Sequence, residues 1–108
     1  MARSKPSETQ GLSHFLAERY VSTANPELAR LDAARASAAS RAPTESGETV
    51  RYLGSTLIPS DETCFALFEA ASAEEVRRLL ERASLPYDRI VQAVRICTEE
   101  RDEREDEG

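Results

Sequence analysis

The side chains best suited to chemistry in this sequence are His14, Glu18, Arg19, Tyr52, Cys64, Glu69 and Cys97. His14 is the single histidine, so a multi-histidine metal centre, or a Ser-His or Cys-His base arrangement, would rest on it alone. An ordinary imidazole at a strand edge is the simpler reading. Cys64 becomes a nucleophile only if a positive neighbour ionises it, and a strand cysteine is more often a small buried hydrophobe. Cys97 stands beside an acidic run that disfavours a thiolate. The two cysteines form no C-x-x-C pair, so both are expected to be free thiols. The carboxylates offer more. Glu18 and Glu69 are expected on neighbouring strands, where they could meet each other, Arg19 or Arg95. Such a pair could supply acid-base chemistry or oxygen ligands for a metal, and it could equally be a structural salt-bridge set, which is the simpler reading. The expected ligand-binding residues are therefore Glu18, Arg19, Tyr52 and Glu69. The glycines at 11, 47 and 54 have no phosphate-cradling spacing, and neither a G-x-G-x-x-G, a P-loop nor an H-E-x-x-H occurs.

The elements that must position these residues are concentrated between Val50 and Val94. Val50 to Ile58 and Thr63 to Glu69 are rich in β-branched and aromatic residues, and Pro59-Ser60-Asp61-Glu62 between them has turn chemistry, so a hairpin is predicted. Ser72 and Glu75 make a capping box that opens a helix. Val76, Leu79, Leu80 and Ala83 form its apolar stripe, and Leu85-Pro86 should end it. A last strand is expected from Arg89 to Ile96. Upstream, His14 to Val21 reads as a strand carrying Glu18 and Arg19 on opposite faces, and each of these charges needs solvent, a counter-charge or a ligand. Asn25-Pro26-Glu27 reads as a helix entry with Asn25 as the cap. That helix should run to about Arg41 and turn Leu28, Leu31, Ala34, Ala38 and Ala42 inward. Two helices among four short strands, with one direct hairpin, predict an α+β ferredoxin-like β-α-β-β-α-β fold, an antiparallel sheet with both helices on one face.

The runs T-C-F-A-L-F-E-A-A-S-A-E-E-V and L-P-Y-D-R-I-V, within a likeness extending from about His14 to Val94, resemble domain of unknown function family 4242. Members of that family include nickel-binding ferredoxin-like proteins. The resemblance implies the same fold and a divalent metal such as nickel, for which His14 and Glu18 are the donors this chain offers. Nickel-binding relatives look histidine-rich where this chain has Ala17-Glu18-Arg19-Tyr20, Leu80-Glu81-Arg82-Ala83 and Ser84-Leu85-Pro86.

Length and charge bound the partners. One hundred and eight residues suit one domain, read as 13–97 between a disordered leader, 1–12, and an acidic disordered tail, 98–108. Of the formal charge of −6, the residues from Glu99 onward carry −5, leaving the body at −1 with no basic stripe. Nucleic acid is therefore not expected as a partner. A balance of 40% hydrophobic and 31% charged residues, without a long apolar run, predicts a cytoplasmic protein that enters no membrane. In the predicted fold the sheet face away from the helices is apolar, and an exposed apolar face usually meets a partner. A homodimer through that face is expected, with a small molecule or metal held near Glu18, Tyr52 and Glu69. A small dimeric enzyme using Glu18 or Glu69 as proton shuttle, and a purely structural interaction module, are the alternatives.

Overall fold

The computed structural model describes residues 12–23, 25–42, 47 and 49–96. The expected leader up to residue 11, the thiol of Cys97 and the acidic tail lie outside the described residues. The order is β1 (Ser13–Tyr20), α1 (Glu27–Arg41), β2 (Arg51–Ile58), a 3-10 turn (Pro59–Asp61), β3 (Thr63–Ala70), α2 (Ala73–Arg82) and β4 (Arg89–Ala93). The strands form one antiparallel sheet in the order β2-β3-β1-β4, the ferredoxin-like arrangement. Phe15 and Ala17 of β1 and Cys64, Phe68 and Ala70 of β3 are buried on one face, against Ala36 of α1 and Val76, Leu79 and Leu80 of α2. Both helices cover that face, and the other is open.

Helix α2 follows its sequence pattern closely. The Ser72 side chain accepts a bond from the Glu75 amide at 3.3 Å, and Val76, Leu79 and Leu80 are almost fully buried. The return half of the capping box is not made, since Glu75 Oε1 is buried without a hydrogen-bond partner. The helix also stops before Leu85-Pro86. Ser84 adopts φ 59°, its amide donates to the Glu81 carbonyl, and the Leu85 amide donates to Leu80 at 2.8 Å. This is a Schellman motif with serine at the left-handed position, completed by contact of the buried Leu80 and Leu85. Ser84→Gly is expected to raise stability by about 0.5–1 kcal/mol, measured by urea denaturation, because glycine occupies that region without the Cβ penalty. A loss of stability would contradict the assignment.

Helix α1 corrects the sequence in two respects. Asn25 does not cap it with its side chain; Pro26 takes the cap position in helical conformation, without a side-chain cap bond. The inward face is also rotated. Ala36 is buried and Ala29, Asp32, Ala33 and Ala39 are half-buried, whereas Leu31, Ala34, Ala38 and Ala42 are exposed. A face of alanines lets the helix lie close to the sheet, and the rotation brings Asp32 to the one charge on that side of β1, Arg19.

Strand β2 contains a bulge: Tyr52 pairs with Phe68 and Gly54 with Leu67, leaving Leu53 as an extra residue. Gly54 has φ 143°, which side chains rarely adopt. The bulge places Tyr52 and Ser55, three apart, on the same helix-covered face, where their hydroxyls hydrogen-bond. Strand β4 ends at Ala93, short of the expected Ile96, because its partner β1 begins at Ser13 and leaves little strand beyond the His14–Ala93 pair. Val94 and Ile96 are exposed there. Asp88, in the L-P-Y-D-R-I-V run, sets the start of β4: its carboxylate accepts from the Tyr20 amide at 2.8 Å and its amide donates to the Glu18 carbonyl at 2.7 Å.

Glu62 closes the hairpin at φ 51° and also holds the β1–α1 connection. Its carboxylate accepts the Thr23 amide at 2.9 Å, the Thr23 hydroxyl and the Tyr20 hydroxyl. The amide of Thr23, foremost among these donors, holds the Glu62 carboxyl below its ordinary value of 4.5. A lowered folded value means that this contribution is complete above the ordinary carboxyl value and is lost as pH falls through the lower one. Glu62→Gln is therefore expected to flatten the acid limb of the melting temperature against pH below about 4.5, while an unchanged limb would contradict the clamp.

Candidate functional site

Strand alternation sorts the candidate residues onto two faces. On the open face, Leu16 lies between Leu67 of β3 and Val91 of β4, and Phe65 lies opposite Glu18. Leu16, Phe65, Leu67 and Val91 are half-buried within the sheet and touch no helix layer. Charged residues close both ends of this apolar strip. At one end His14 sits opposite Glu69, with its Nε2 3.9 Å from Glu69 Oε2, while Arg51 Nη1 approaches Glu69 Oε1 at 2.9 Å. At the other, Arg89 Nη2 is 3.1 Å from Glu18 Oε2, a contact that raises the Arg89 pKa.

The structure thus brings together His14 with Glu69 but not Glu18 with Glu69. Glu18 lies four residues along β1 from the residue facing Glu69, roughly 13 Å at ~3.3 Å per residue. The two carboxylates cannot act on one substrate atom within a single chain. His14 and Glu18 are separated by the same span and do not form a metal pair. Among the described residues no group of three His, Cys, Asp or Glu side chains converges as metal donors would. Arg95, considered as a partner for either carboxylate, makes neither contact; Arg89 and Arg51 take those places.

Arg19 and Tyr52 belong to the opposite face, so the expected grouping of Glu18, Arg19, Tyr52 and Glu69 is divided by the sheet. Tyr52 packs against Phe68 with ring centroids 5.5 Å apart. Arg19 pairs with Asp32 of α1, each side chain about four-fifths buried. Opposite Arg19 in the register is Cys64, a buried free thiol. Burial pushes the Cys64 thiol up, opposed by the Arg19 charge and a hydrogen bond with Ser55, so the group is not the activated nucleophile considered from sequence. Asp32 was missed in the sequence. The signal was the need of Arg19 for a counter-charge, and reading it required knowing which way α1 is turned.

Between α1 and the sheet lies a cavity of about 40 Å³ bordered by Arg19, Asp32, Ser55, Cys64 and Tyr87 over an apolar floor that includes Phe68 and Leu80. A groove of about 300 Å³ between α1 and the edge strand β2 shares Ser55 and Cys64 with it. Among the described residues, no helix is long and apolar enough to cross a membrane.

Comparison with known proteins adds three findings. The profile of the family described as nickel responsive protein SCO4226-like matches residues 15–93. The crystal structure of SCO4226 from Streptomyces coelicolor A3(2) superposes with a TM-score of 0.61 at 24% sequence identity, covering 79% of this chain and 100% of that one. At that identity it supports the fold alone. No curated protein matches the chain.

Proposed function

The chain belongs to the SCO4226-like family of nickel-responsive proteins, and from that membership we propose that it is a small binding or accessory protein working as a homodimer through its open sheet face. We take the likeness to domain of unknown function family 4242 as part of the same kinship. The observation that carries the reading is the strip of Leu16, Phe65, Leu67 and Val91, apolar, uncovered and closed at each end by an acid beside a base. A two-fold pairing uses one patch twice, and ends that each offer both signs are suited to facing a copy of themselves. The free thiol of Cys64 suits a reducing cytoplasm.

The family description speaks of nickel, but the residues present in one chain do not fit it. His14 and Glu69 supply two donors, Glu18 is remote and held by Arg89, and no third donor converges among the described residues. What the open face binds besides its copy is therefore proposed as a small ligand held near the His14–Glu69–Arg51 end, without a step through nickel. The test is methyl NMR across a dilution series. The Leu16, Leu67 and Val91 methyl signals should move with concentration while those of the core residues Val76 and Leu79 stay fixed; open-face signals that never move would refute the reading.

A further inference from the structure

The second face of the sheet holds a feature that the open face leaves unexplained. Beneath α1, the small side chains of Ala29 and Ala33 leave a groove against Tyr52 and Leu57 of β2, while Ala36 borders the inner cavity. Ser55 and Cys64 border both this groove and the inner cavity, and the groove alone, at about 300 Å³, lies at the lower end of the ~300–1,000 Å³ typical of small-molecule sites. At the inner end stand Arg19 and Asp32. A guanidinium has five donors, and Asp32 is its described partner. An ion pair largely out of water is a weak way to stabilise a fold compared with apolar residues of similar size, which would also have filled the cavity. We propose that this groove and cavity bind a small neutral molecule with an aryl or alkyl body and a primary-amide end. The pair offers a donor and an acceptor side by side with no net charge. The amide oxygen accepts from Arg19, the amide nitrogen donates to Asp32, and the body lies against Ala33, Tyr52 and Leu57. A carboxylate is repelled by Asp32 and an ammonium by Arg19; Arg30 also lines the groove, but it is largely exposed and already paired with Glu27 at 2.7 Å, so it leaves the preference for a neutral end unchanged. Because the site is on the helix-covered side, pairing through the open face leaves it accessible.

The test is titration of the full chain with benzamide, hexanamide and benzoate, followed by amide NMR. Saturable shifts at Ala33, Ser55, Leu57 and Cys64 are expected for both amides, with a Kd of about 1 mM or tighter, and at least about tenfold weaker binding of benzoate. Bound benzamide should also slow alkylation of Cys64, read from its peptide by mass spectrometry. Ala33→Leu fills the groove without touching the ion pair and should weaken both amides about tenfold or more. Asp32→Asn should reverse the preference toward benzoate, because Arg19 is then uncompensated. No saturable shifts with either amide, equal binding of benzamide and benzoate, or amide binding unaltered in Ala33→Leu would each overturn the proposal; should Asp32→Asn not fold, Ala33→Leu and the benzoate comparison still decide it.

Discussion

If the chain pairs through its open face as proposed, Leu67→Glu is expected to leave a folded monomer. Leu67 lies at the middle of the open face, paired with Leu16 on one side and Gly54 on the other. In a single chain the new carboxylate can turn to water, and the loss of a half-buried leucine from the strand should cost about 1–2 kcal/mol, which a domain of ordinary stability can absorb. In a two-fold pairing each glutamate is buried against its partner's apolar strip near a like charge, which costs several kcal/mol. The dimer dissociation constant should rise at least about a hundredfold, equivalent to about 2.7 kcal/mol. Size-exclusion chromatography with light scattering reads the mass, and thermal melting checks that the fold persists. A variant that remains dimeric and folded would place the interface elsewhere.

Phe68→Ala should cost about 3–5 kcal/mol, read from urea or guanidinium unfolding, out of a total of ~5–15 kcal/mol for a domain of ordinary stability. Phe68 is fully buried on β3, one of the two central strands, directly opposite Phe15 of β1 and Tyr52 of β2, with only Ala66 and Ala70 beside it along its own strand and Ala17 diagonally across. Alanines cannot expand into the space left behind, so the cavity term adds to the lost transfer energy. The Tyr52 ring would also lose its tilted partner. A cost below about 1 kcal/mol would mean that the layer between helices and sheet is loosely packed.

The parts of the molecule governed by local chemistry were legible in the sequence. Ser72 and the period of Val76, Leu79 and Leu80 define α2, and Pro59 to Glu62 define the hairpin; with β1 and α1 these suffice for the ferredoxin-like order. The errors came where one residue's place depends on a distant one. The inward face of α1 is built from alanines around Ala36 and carries Asp32 to Arg19, an arrangement that counting leucines along one helix does not register. A period of two carried through β2 would keep Tyr52 in phase with Gly54 and Thr56; the bulge instead leaves Tyr52 in phase with Ser55 and Leu57, against the helices, and Gly54 within a strand was the available sign of it. The end of β4 is set by where β1 begins, which β4's own alternation does not contain. For Glu18 and Arg19 the sequence leaves solvent, a counter-charge or a ligand open, and the structure gives each a counter-charge. Their actual partners, Arg89 and Asp32, come from elements that only the tertiary fold brings near.

The central claim is that the open face is a self-association surface, and native mass spectrometry of the full chain, purified without a metal-affinity tag, tests it most directly. At micromolar concentration a dimer is expected as the main species, displaced to monomer by Leu67→Glu. A wild-type protein that is monomeric under the same conditions would contradict it.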